Sequence, residues 1–191
     1  MKITELLTKN RSYRRFDEDH AIEEQTLIDL VALTRLCPSS GNRQPLRYLV
    51  SCAPEMNEKV FPHLRWAAAL KDWPGPGPGE RPTGYIVVLG DADMPGSLNV
   101  DSGIVAQSML LAAAEQGLGG CMIGSIDRDR LHEALKIPGD YIIVLVVGLG
   151  KPKETVVLED VDASGNVAYW RDEQGVHHVP KRTMDQLLVS F

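Results

Sequence analysis

The stretch Ser102-Gly103-Ile104-Val105-Ala106-Gln107-Ser108-Met109-Leu110-Leu111-Ala112-Ala113-Ala114-Glu115-Gln116 decides the architecture. Ile104, Val105, Met109, Leu110, Leu111 and Ala112 spread apolar side chains round nearly the whole circumference of the helix this spacing predicts, so that helix belongs inside the fold. Gly117, Gly119 and Gly120 stop it, and Cys121-Met122-Ile123 makes a short extended piece. Asp127 can cap a further helix carrying Leu131 and Leu135, and residues 141–147 read as an interior strand. Upstream, 46–52 and the β-branched 85–89 read as strands. Ile3, Leu6 and Leu7 mark one helix; Leu27, Leu30, Val31 and Leu33 mark a second. Residues 54–73 read as helix interrupted at Pro62. Several helices around a modest sheet, one of them buried, make an α+β arrangement rather than a regular βαβ alternation.

The 191 residues suggest a single domain (1–191), of which 151–191 form a polar C-terminal arm with little core of its own. That arm holds a candidate hairpin around Glu173-Gln174-Gly175 and a last short helix with Thr183 and Gln186 as its capping box, and it is expected to pack on the main body or on a second subunit, with an isolated extension as the alternative. Pro74-Gly75-Pro76-Gly77-Pro78-Gly79 can form neither helix nor central strand; it is a surface loop, either a connector or a lid over a site. With 43% hydrophobic and 24% charged residues the chain is of globular composition. A net charge of −6 argues against a nucleic-acid or anionic-membrane coat, and no run reaches the ~20 apolar residues of a membrane span. Met1-Lys2-Ile3-Thr4-Glu5 opens no signal-peptide pattern, so a cytoplasmic location is expected. Cys37, Cys52 and Cys121 form no CxxC pair, and five histidines lack metal-site spacing, so no metal is expected.

Three nucleotide or hydrolase signatures, GxxxxGK[ST], GxSxG and GxGxxG, are not completed. The residues that can carry chemistry lie elsewhere. Lys9-Asn10-Arg11-Ser12-Tyr13-Arg14-Arg15-Phe16 gathers four cations and a hydroxyl in an acidic protein, a set suited to an anion such as phosphate, or else a basic loop paired with Asp17, Glu18 and Asp19. Lys181-Arg182 could complete the same site if the arm folds back. Pro38-Ser39-Ser40-Gly41-Asn42-Arg43-Gln44-Pro45 offers hydroxyls and amides suited to a flat heterocycle, or serves as a capped helix terminus.

Taken together, these pieces resemble the FMN-dependent nitroreductase family. Arg11-Ser12-Tyr13-Arg14-Arg15-Phe16 is similar to its RSxRxF motif, and Pro38 to Pro45 to its PSSxNxQP segment. Gly117 to Gly124, Gly148-Leu149-Gly150-Lys151-Pro152 and Pro180-Lys181-Arg182 follow in the family's order. The resemblance implies a mixed, largely antiparallel sheet and an intertwined homodimer with FMN at the interface. It assigns Arg11, Ser12, Lys181 and Arg182 to the FMN phosphate and Arg14 to the pyrimidine edge. Pro38, Ser39, Ser40, Asn42 and Gln44 would reach FMN from the partner subunit, and Met122, Ile123, Gly124 and Ser125 would line the isoalloxazine. NADH or NADPH would be the reductant, a nitroaromatic, quinone or enone the small-molecule acceptor, and no side chain a covalent nucleophile or acid/base. Flavin-dependent dehalogenation, flavin fragmentation and flavin binding without catalysis remain alternatives. Asn10, Leu46 and Gly124 depart from common family residues, and His177-His178 has no family role.

Overall fold

Gly148 and Gly150 continue a strand instead of ending one. The computed structural model, which describes residues 2–94 and 98–189, carries β5 from Tyr141 to Pro152. A Cβ on Gly150 would stand 2.7 Å from Cδ1 of the fully buried Phe16, so the missing side chain is what lets that ring lie across the strand. β5 is the hub of the main sheet. It pairs antiparallel with β1 (Phe16–Asp17), β3 (Gly84–Asp91) and β4 (Gly119–Ile123), while β2 (Leu46–Ser51) pairs antiparallel with the far edge of β3.

Strand alternation divides the core in two. Ile86 and Val88 of β3 face one side with Val147 and Leu149. There they meet α2 (Glu24–Leu33) through Leu27 and Leu30, and α4 (Leu98–Glu115) through Val105, Met109 and Leu110. Tyr85 and Val87 face the other side, against Val60 of α3 (Pro54–Val60) and Leu131 of α5 (Arg128–Leu135). Asp127 caps α5 as expected, its side chain accepting from Arg130 N at 3.4 Å. The chain opens with α1 (Ile3–Lys9).

Two expectations are corrected. Helix does not run through 54–73: it ends at Val60, and after one 3₁₀ turn at Phe61–His63 the chain becomes irregular. Arg65 N donates to Ser125 O at 2.9 Å and Leu64 bridges Ile126, so tertiary pairing overrides local propensity. Nor is α4 enclosed all round. Its sheet-facing residues are buried, but Val100 is 61% exposed, and Ile104, Gln107 and Leu111 are half-buried. The Pro/Gly loop is a loop, yet Gly75 and Pro76 are buried, because Gly75, at φ 117, passes over the Trp66 ring, where a Cβ would come within 2.6 Å.

The arm forms a second sheet in the order β6-β8-β7. β6 (Val156–Asp160) runs parallel to β8 (His177–Lys181), and β7 (Trp170–Arg171) pairs antiparallel with β8 across the expected hairpin. Asp172 makes the turn, its Oδ1 accepting from Gln174 N at 3.0 Å and Val176 N at 2.7 Å. α6 (Met184–Leu187) follows, with Thr183 N donating to Gln186 Oε1 at 3.2 Å.

Candidate active site

The N-terminal basic loop is not a free solvated segment, and its charges are not met by its sequence neighbours. Arg15 forks onto Glu80, with Nε at 2.7 Å and Nη2 at 2.6 Å from the two carboxylate oxygens. The backbone N–H groups of Arg14 and Arg15 both donate to Oε1 of Glu154. Glu154, its side chain 1% exposed, also receives Arg171 Nη2 at 2.9 Å, and the Arg171 guanidinium lies 4.7 Å from the Trp73 ring centroid. One carboxylate therefore ties the basic loop to the hairpin of the arm.

That docking encloses a cleft of about 510 Å³. Arg11, Ser12 and Arg14 enter it from the basic loop, Met122 from β4, Gln107 and Leu110 from α4, and Tyr169, His177 and Lys181 from the arm. Arg14 Nη1 donates to Ser12 O at 3.2 Å and approaches His177 Nε2 at 3.3 Å, and its Cζ lies 4.7 Å from the Tyr169 ring centroid. Burial, then the charges of Arg14 and Arg171, push the His177 imidazole down to about 4, so it is neutral near pH 7. Arg11 Nε and His177 Nδ1 are buried without a hydrogen-bond partner among the described residues. Orphaned donors beside cations fit a site that receives an acceptor-rich group, and FMN, with a phosphate and a carbonyl-bearing ring, is of that kind.

The sequence-derived site residues divide into several places. Arg11, Ser12, Arg14, Met122 and Lys181 share the cleft. Arg182 is exposed just past β8 and does not line it. Ile123 is in the core, while Gly124 and Ser125 are exposed at the end of β4. Pro38, Ser39, Asn42 and Gln44 line a separate cavity of about 180 Å³. Ser40 stands beside them in the same turn. Asp101 organises that turn: Ser39 Oγ donates to its Oδ2 at 2.6 Å and Ser40 N to its Oδ1 at 3.1 Å. Burial raises the Asp101 carboxyl, but the hydrogen bonds from Ser39 and Ser40 outweigh it and hold the carboxyl below its usual range. Gly41, Asn42 and Gln44 take φ of 58, 52 and 49, left-handed values that a rigid, bonded turn must hold in place. Tyr169 and Gln107 carried no sequence signal. His177 did carry one, since in a strand it must face opposite to His178.

The Nitroreductase family model matches residues 7–151. The chain belongs to the nitroreductase family and is an oxidoreductase. A Methanothermobacter thermautotrophicus protein provisionally named NADH dehydrogenase/NAD(P)H nitroreductase is 29% identical over 169 residues, covering 84% of this chain and 83% of its own. A 5,6-dimethylbenzimidazole synthase from Rhodobacter capsulatus is 25% identical, with 80% and 84% covered. Among solved structures, an Exiguobacterium sibiricum protein provisionally named a nitroreductase, in complex with FMN, superposes with a TM-score of 0.68 at 20% identity, over 90% of this chain and 98% of that one. The α+β fold with its largely antiparallel sheet is thus the nitroreductase fold. Among the described residues no helix is long and apolar enough to cross a membrane, and no group of three or more His, Cys, Asp or Glu side chains could hold a metal ion.

Proposed function

We propose that this protein is a homodimeric FMN-dependent NAD(P)H oxidoreductase. The observation that carries the reading is the meeting of Arg11, Ser12, Arg14, Met122 and Lys181 in one cleft, from both ends of the chain. The chemistry FMN supplies when bound is a two-electron relay, in ping-pong order, from NADH or NADPH to an electron-poor nitroaromatic, quinone or enone. Arg11, Ser12 and Lys181 hold the phosphate by charge and hydrogen bonding. Arg14 stands at the pyrimidine edge, where a cation favours the anionic form of a reduced ring. Met122 gives an apolar contact for the ring face.

Pro38, Ser39, Ser40, Asn42 and Gln44 act on the cofactor of the partner subunit. Two features support a second copy: their turn is rigidly held but lies apart from the cleft of its own chain, and large apolar side chains stand exposed. Leu36 is 83%, Val100 61%, Met184 63% and Leu188 67% exposed, apolar surface that a second copy would cover.

The test is an absorption spectrum of the purified protein with FMN, followed by anaerobic titration with NADH and NADPH. The expected result is bound flavin that bleaches and is reoxidised by a nitroaromatic or quinone. Bound flavin that neither nucleotide bleaches would point to a binding protein. Stoichiometric destruction of the flavin in air would favour the flavin-fragmenting alternative.

A further inference from the structure

His177 is 1% exposed, lies in the arm, and touches the cleft through a single polar approach, Arg14 Nη1 at 3.3 Å from its Nε2. A guanidinium can only donate, so Nε2 must accept and the proton must sit on Nδ1. On its other side the imidazole packs against Tyr169, ring centroids 5.2 Å apart, and Arg14 lies over that same Tyr169 ring. Arg14 is thus held from two directions by residues more than 150 positions away, a face contact from Tyr169 and a lone pair from His177. Its bond to Ser12 O, at 3.2 Å, is local to its own loop.

We propose that His177 is a positioning residue: its neutral, Nδ1-protonated imidazole accepts from Arg14 and fixes the guanidinium over Tyr169 in the orientation that meets the bound ligand. The inference deepens the cofactor reading given above and rests on it for the identity of that ligand. It depends on the lone pair, not the bulk, of the side chain, so Gln, whose amide oxygen can reach the Nε2 position, serves in its place while Phe does not.

The test has two arms. In the protein without FMN, ¹⁵N–¹H correlation of the histidine rings reads the tautomer directly. The expected result is an Nδ1-protonated His177 at pH 7 that loses its tautomer preference in Arg14→Ala; an Nε2-protonated ring overturns the proposal. In the second arm, FMN dissociation constants and flavin midpoint potentials are measured for wild type, His177→Phe, His177→Gln, Arg14→Ala and the Arg14→Ala/His177→Phe pair. His177→Phe should weaken FMN about tenfold and move the potential in the negative direction, as Arg14→Ala does, and His177→Gln should recover most of both. In the Arg14→Ala background the Phe substitution should add little. A full additional loss there, or a potential unmoved by His177→Phe, assigns His177 a packing role only and overturns the inference. Failure of wild type to bind FMN defeats the cofactor reading, and the tautomer measurement still decides His177.

Discussion

The Glu154 carboxylate and the Arg171 guanidinium form a buried ion pair at 2.9 Å, their side chains 1% and 14% exposed. Because the same carboxylate accepts from the backbone of Arg14 and Arg15, the pair is the mechanical link between the basic loop and the arm. Removing one partner of such a pair leaves the other buried and uncompensated. Glu154→Ala should cost about 3–5 kcal/mol in urea denaturation, while Glu154→Gln, which keeps an oxygen for the two amides, should cost less. Equal losses for the two variants would place the effect in the charge, not in the backbone hydrogen bonds.

Gly150 makes a sterically sharper case. A Cβ there meets the buried Phe16 ring at 2.7–2.9 Å, and a ring enclosed by the core has little room to retreat. Gly150→Ala should therefore destabilise by about 1–3 kcal/mol, the usual cost of overpacking, visible as a lower urea midpoint at unchanged m-value. Gly124→Ala is the control, since nothing lies within 4 Å of its added carbon.

Asp101 governs the turn that carries Ser39 and Ser40. Its folded carboxyl lies below the ordinary value, so its contribution is present above the unfolded pKa and fades as pH falls through the folded one. Asp101→Ala should strand the Ser39 hydroxyl and the Ser40 amide and cost about 1–3 kcal/mol at pH 7. The difference from wild type should shrink below about pH 4, where wild type begins to lose the same interaction. A difference constant from pH 7 to pH 3 would contradict the assignment.

His178 moves in the opposite sense. Its Nε2 is 3.2 Å from Asp172 and its Nδ1 3.1 Å from Glu159, and Trp170 stacks on it at 4.0 Å. The hydrogen bond to Asp172 raises its pKa, against burial, and Glu159 raises it further. A raised folded pKa gives stability that is complete below about pH 6.5 and is lost as pH rises through the folded value. Hydrogen-exchange protection factors in β6 and β8 should therefore fall as the pH is raised above about 6.5, and His178→Phe should abolish that fall.

Much of the body was legible because its signals are local. The spacing of Leu27 and Leu30, the β-branched run at 85–89 and the Asp127 cap each announce an element without help from distant chain. Arg11, Ser12, Arg14 and Lys181 stood out as candidates for one site through residue type and the family resemblance together, and they do line one cleft. What stayed hidden depends on contacts remote in sequence. Nothing near Trp66 says that Gly75 will cross its ring, or that pairing of Arg65 with Ser125 will end the helix expected through residue 73. Likewise nothing in Tyr169 or Glu154 alone shows that one will pack on Arg14 and the other will bind its backbone.

β6 and β8 run parallel, and a parallel pair cannot be closed by a tight turn; it needs a long crossover. Here the crossover is residues 161–176, and on its way it lays Val167 and Tyr169 along the wall of the cleft. The length of that connection is consequently a dimension of the pocket: residues added or removed there widen or narrow the space beside Arg14. None of the strand pairings of the main sheet involves this stretch. The part of the crossover ahead of β7 is an adjustable wall on a fixed frame, and a change of ligand can be accommodated by editing it while Arg171 keeps its ion pair with Glu154.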